Sequence, residues 1–195
     1  MAVGVKGERK REQILEKAKE LFISQGYAAT TMEDLVRYSG FSKGSIYYHF
    51  DSKEELFLQL LDKHNKEWHE AWRARESRYT SFAERIYGIV EFYIEDFYNP
   101  LMKVAEEFGM AQKNQDMLDR LLVHLQSPRT IYAEILQEGV DAGLLRDLQV
   151  NELAILFAAQ LDGLSIIYYE YDKAETQRIY RLAVDCFLHG VLKPT

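Results

Sequence analysis

Lys43, Ser45, Tyr47, Tyr48 and His49 crowd hydrogen-bonding side chains, three of them on aromatic rings, into seven consecutive residues. A short helix so furnished is poorly suited to a buried core. It is well suited to the major groove of DNA, where base edges and phosphates both lie within reach. Lys43, at its start, reaches a guanine edge or a phosphate. Gly44 costs about 1 kcal/mol in a helix interior, less near the N-terminus, and lets the backbone approach the duplex closely. Ser45 and Tyr47 point to the groove, while Tyr48 and His49 bond phosphates or sugars; packing against the first helix is the alternative for Tyr47. Ser42 caps this helix, and Thr31 and Lys53 stand at the N-termini of its neighbours, where backbone amides favour a phosphate. Ile46 and Phe50 belong to the core.

A second group suggests a binding pocket further along. Aromatic residues concentrate after residue 65, among them Trp68, Trp72, Tyr93 and Phe108. Polar residues interrupt apolar faces: His64 on the Leu60–Leu61–Trp68 face, Asp96 beside Tyr93, and Gln160 on the Leu156–Phe157 stripe. Buried polar groups need partners, and a ligand or ordered water can supply them. A carboxylate among aromatics suits a lipophilic cation. The expected ligand-binding residues are therefore His64, Trp68, Tyr93, Asp96, Phe108 and Gln160. Catalysis has no comparable support. Glu106 and Glu107 are adjacent and diverge by about 100° around a helix, no metal spacing links the five histidines, and no cofactor is expected.

The elements that position these residues read as helices throughout. Only three prolines and eleven glycines interrupt 195 residues, and apolar residues recur at helical spacing, predicting an all-α protein of about nine helices. Helix-turn-helix spacing emerges between Thr30 and Leu56, with Gly40 in the turn. Thr30–Glu33, Thr31–Asp34 and Ser52–Glu55 are candidate capping boxes. Later helices are expected from about 81 to 98, 101 to 112, 115 to 126, 128 to 142, 151 to 169 and 174 to 192. A long helix from Lys53 to Trp72 or beyond would bridge a head and a body. Residues 1–50 carry a net charge of +2 and the remainder −9, a basic head on an acidic body. Lys6, Arg9, Lys10 and Arg11 form either a solvated run or an arm to phosphate. The helix after residue 151 is apolar on nearly every side, so a second copy covering it is favoured over burial within a monomer. No run of eighteen apolar residues occurs, no membrane contact is expected, and the charged N-terminus predicts a cytoplasmic protein. Cys186 is expected to be a buried thiol.

The segment from Glu12 to Leu56 resembles the N-terminal domain of the TetR family of bacterial repressors. The resemblance rests on Gly26–Tyr27, Thr30–Thr31, the Gly40 turn, Ser45–Ile46–Tyr47–Tyr48–His49–Phe50 and Lys53–Glu54–Glu55–Leu56. With Trp68 and Trp72 downstream, the chain looks most like the multidrug-sensing repressors of quaternary-ammonium efflux pumps. The resemblance implies a helix-turn-helix domain over 1–52 and a ligand-binding and dimerisation domain over 53–195. It implies a homodimer through the last two helices (about 151–192), a palindromic double-stranded operator, and release by a small amphipathic or aromatic effector. Trp68 matches an aromatic pocket position and Asp96 an acidic one. His64 and Asn65 stand where that subgroup has carboxylates, and Gln126–Pro128 falls near another. A DNA-binding regulator without an effector is the alternative.

Overall fold

In the computed structural model, the described residues are 2–193, with side chains from residue 7 onward except those of Phe97 and Tyr168. Lys6 of the expected basic arm therefore lies outside the described side chains. Ten α-helices are present among these residues: α1 Ala2–Gln25, α2 Met32–Ser39, α3 Lys43–His49, α4 Lys53–Glu76, α5 Phe82–Phe97, α6 Pro100–Ala111, α7 Gln115–Leu125, α8 Arg129–Asp141, α9 Val150–Leu164 and α10 Lys173–Val191. The helix expected to reach residue 169 stops being α-helical at Leu164. It tightens there into a 3-10 turn, Ser165–Tyr169, with Ser165 N–H bonded to the Asp162 carbonyl.

Local chemistry explains the boundaries. Of the two overlapping capping boxes, Thr31–Asp34 forms, each side chain accepting the other's backbone N–H. Thr30 is buried instead, its hydroxyl donating 2.7 Å to the Gly26 carbonyl. Ser52 accepts from Glu55 N–H at 3.1 Å, but the Glu55 carboxylate turns to Gln59 and Arg120, so this box is half made. Asn99 caps α6, whose first residue is Pro100. Pro128, rather than Ser127, is the residue before α8, and the Ser127 hydroxyl bonds the His69 ring at 2.9 Å instead of capping the helix.

The chain divides into two compact units. One comprises residues 1–66 and 99–125, the other 67–98 and 126–195. This differs from the expected division at 52/53, since α6, α7 and the first part of α4 join the reading helices. The first unit packs Ile14, Phe22, Leu35, Ile46, Phe57 and Phe108 into one core. The second packs Trp72, Ile89, Tyr132, Leu136, Phe157 and Tyr180. Within the second unit, the segment after α8 is pinned to the end of α10. Arg146 N–H bonds the Val191 carbonyl and Lys193 N–H the Leu144 carbonyl, both at 2.9 Å.

Residues 150–167 have a mean hydropathy of 1.4 and meet the length and composition of a membrane span, yet only 28% of the stretch is buried within the chain. It also carries Glu152 and Asp162. Cys186 is exposed rather than buried. The stripe that α10 buries runs through Tyr180, Val184, Leu188 and Val191, and residue 186 points away from it.

Candidate functional site

The helix α3 is anchored from one side and open on the other. Ser42 caps it by accepting from Ser45 N–H at 3.2 Å, and Gly40 ends α2 at φ 74°, a left-handed position that glycine adopts without strain. Ile46 and Phe50 are buried, which fixes the rotation of the helix. The opposite face then presents Lys43, Gly44, Tyr47 and Tyr48. Tyr48 is 83% exposed and Tyr47 37%, so Tyr47 faces outward instead of being absorbed against α1. A Cβ placed on Gly44 would meet nothing within 4 Å, leaving that backbone open to a close partner. The Lys43 ammonium lies 5.5 Å from the Tyr47 ring centre and 3.9 Å from a Glu33 carboxylate oxygen. Ser45 and His49 are half-buried at the edges. Burial, and then the charges of Lys10 and Arg11, hold the His49 imidazole below its ordinary pKa, so it is neutral at pH 7 and offers one donor and one acceptor.

Several expected phosphate contacts are committed elsewhere. The Thr31 N–H and hydroxyl both donate to Asp34, at 3.0 and 2.6 Å. Those bonds keep the Asp34 carboxyl below its usual range, so an anion already occupies this helix terminus. Lys53 turns inward: its ammonium donates to the Tyr27 carbonyl at 2.9 Å and sits 4.1 Å from the Tyr27 ring centre. Burial lowers its pKa. This internal contact replaces the phosphate role expected of Lys53. Arg11 donates twice to Gln59, at 3.0 and 2.7 Å.

Tyr27, which drew no functional role from the sequence, is the hub of the first unit. Its N–H donates to Glu107 at 2.8 Å and its hydroxyl to Glu54 at 3.1 Å. Its ring lies 4.9 to 5.7 Å from Phe22, Phe57 and Phe108. Phe108, expected in a ligand pocket, thus belongs to the core under the reading helices. His64 is also in the first unit and is buried.

The other four expected ligand residues fall in the second unit. Trp68 is buried and tilted against Phe92, ring centres 5.0 Å apart. Gln160 donates to the Ala183 carbonyl at 2.9 Å, tying α9 to α10, so part of the amide that a ligand was expected to meet is engaged within the chain. Tyr93 donates to Asp162 at 2.6 Å. Around this pair gather Tyr132, Tyr180 and Asp96. The Tyr132 phenol is held well above its ordinary pKa by burial first, then by Asp162, Tyr180 and Asp96. Its hydroxyl is fully buried and has no hydrogen-bond partner among the described residues. Tyr180 donates to the Leu161 carbonyl at 2.9 Å. Three phenols and two carboxylates therefore gather here, Asp162 on the solvent side, with the Tyr132 donor unanswered. Asp162, the acid within the most apolar helix, was the signal in the sequence that could have located this group.

Residues 14–60 match the family of bacterial regulatory proteins of the tetR type, and residues 64–193 match the C-terminal region of QacR-like proteins. The chain belongs to the TetR family. It is 30% identical to the HTH-type transcriptional regulator QacR of Staphylococcus aureus, over 94% of this chain and 98% of that one. It is 27% identical to the HTH-type transcriptional repressor KstR2 of Mycolicibacterium smegmatis, over 83% and 80%. A crystal structure of FadR from Bacillus subtilis in complex with stearoyl-CoA superposes with a TM-score of 0.75 at 16% identity, covering 92% of this chain and 98% of that one. As a TetR-family protein the chain is an effector-responsive, DNA-binding transcriptional repressor and not an enzyme. Among the described residues no group of three metal-binding side chains occurs.

Proposed function

We propose that this TetR-family repressor reads a palindromic operator with the open face of α3, one copy from each protomer of a homodimer. The exposed row of Lys43, Gly44, Tyr47 and Tyr48, set against the buried anchors Ile46 and Phe50, carries this reading. Ser42 and Ser45 border that row, and His49 extends it toward the sugar–phosphate backbone. The dimer is assigned to α9, its 3-10 extension and α10. Leu156, Ile166, Tyr169 and Leu182 stand exposed there, Leu156 at 61% and Tyr169 at 71%. Apolar surface of this kind marks an interaction face, and a second copy covers it symmetrically. That face also accounts for the low burial of residues 150–167 without a membrane, in keeping with a cytoplasmic site of action.

The effector is assigned to the polar group around Tyr93, Asp96, Tyr132 and Asp162, which runs from the buried Tyr132 phenol to the exposed Asp162, with Trp68 as an aromatic wall. Its chemistry is amphipathic, offering an acceptor or a positive centre to these groups and an apolar body to the rings. The chain passes from one unit to the other within α4, after Lys66, so a shift of this helix on binding is the route to the heads. The test replaces Lys43 and Tyr47 together by alanine. Binding to the promoter region upstream of the gene should disappear in a mobility-shift assay, while size-exclusion chromatography still reports a dimer. Unchanged DNA affinity sinks the assignment of α3.

A further inference from the structure

A hollow remains where α5 packs against α10 in the second unit. Val90 and Ile94 of α5 and Tyr180 and Val184 of α10, all buried, form the apolar floor of a cavity of about 200 Å3. The hollow opens to solvent on one side, and its volume exceeds the about 150 Å3 that admits benzene in an enclosed cavity. The outer edge is lined by paired polar groups. The Tyr87 hydroxyl donates to Asp185, and Arg181 donates to Glu91 while its guanidinium stands 5.9 Å from the Tyr87 ring centre. One lining group is uncommitted. The Gln177 side-chain amide makes no hydrogen bond among the described residues.

We propose that this slot binds a small uncharged amphiphile. Its body has the size of a benzene ring or a short alkyl chain, and it carries one hydroxyl or carboxamide that donates to and accepts from the Gln177 amide. A charged head gains nothing here, because Glu91 and Arg181 already neutralise each other. The pair stands at the solvent-exposed rim, so an ion there exchanges one screened contact for another. The slot lies between α5 and α10 and meets the effector group around Tyr132 and Asp162 only at Tyr180, whose ring lines the slot while its hydroxyl is held by the Leu161 carbonyl.

Benzyl alcohol, benzoate and benzylammonium share one apolar body and differ in head charge, so isothermal titration of each into the full-length protein tests both halves of the proposal. Benzyl alcohol should bind at least about tenfold more tightly than either ion. Val184→Phe, whose ring fills the slot, should abolish that binding. Gln177→Leu should weaken it by up to about tenfold, the loss of one neutral hydrogen bond, and Tyr132→Phe should leave it unchanged. The proposal is overturned if the wild-type protein takes up no benzyl alcohol, which would mean that side chains or a second copy fill the slot. It also fails if the ions bind equally well, or if binding survives Val184→Phe. Should Val184→Phe not fold, Gln177→Leu decides, since its half-exposed position leaves the fold intact.

Discussion

Replacing Tyr132 by phenylalanine should stabilise the ligand-free protein, the reverse of the usual outcome for a buried tyrosine. The ring stays, and with it the edge-on contact to Phe157 at 5.2 Å between centres. What leaves is a fully buried hydroxyl that has no partner among the described residues. Holding such a group away from water without a hydrogen bond costs about 1–3 kcal/mol. The small void left behind offsets part of this, so a net gain of about 1 kcal/mol is expected. For a chain of this length that corresponds to a rise of about 2–4 °C in the thermal midpoint. Circular dichroism at a fixed protein concentration, necessary because association shifts the apparent midpoint, measures it directly. The same change removes this unanswered donor, so affinity for an effector that accepts from it should fall by up to about tenfold. A fall in midpoint of 2 °C or more (by the same scaling) would show the hydroxyl to be satisfied and refute the argument.

Three further outcomes follow from contacts already described. Gly26 sits at φ 81°, and a Cβ there would stand 2.7 Å from a Glu107 oxygen. Gly26→Ala should therefore lower stability by about 2 kcal/mol, combining backbone strain with displacement of the Tyr27–Glu107 bond, as read from urea midpoints. Leu156→Arg should shift sedimentation equilibrium toward monomer and reduce operator affinity with it; an unchanged dimer would remove α9 from the interface. Burial holds the His124 imidazole below its ordinary pKa, Arg120 assisting and Asp62 opposing. The unfolded chain thus binds this proton at a higher pH than the folded one. Its contribution to stability is complete above about pH 6.5 and is lost as pH falls toward the lower folded value. In His124→Gln, urea midpoints between pH 7.5 and 5.5 should fall less steeply than in the parent, with His49 sustaining the remainder in the same direction.

The reading helix was legible because its signals are local. A capping serine, a turn glycine and two apolar anchors lie within eleven residues, and they fix which side of α3 faces out. Lys53, Phe108 and Gln160 were misread because their partners lie 26, 81 and 23 residues away, at Tyr27 and Ala183, and pattern along one helix does not report them. Thr31 was read correctly as a cap, but its hydroxyl cannot serve Asp34 and a phosphate equally. Asp96 and Asp162 are alike in the sequence, an acid among apolar neighbours. Only packing reveals that both act on the phenol of Tyr132.

Tyr27 also bears on how such repressors can be recombined. A chimaera joined at residue 52 would transplant the reading helices but leave behind Lys53, Glu54, Phe57, Phe108 and Glu107, which hold the Tyr27 carbonyl, hydroxyl, ring and amide. The exchangeable cassette is thus discontinuous, consisting of the first 66 residues together with 99–125. On the proposed reading of α3, operator specificity should move between relatives with that helix face alone. Moving the whole reader together with its core requires both segments.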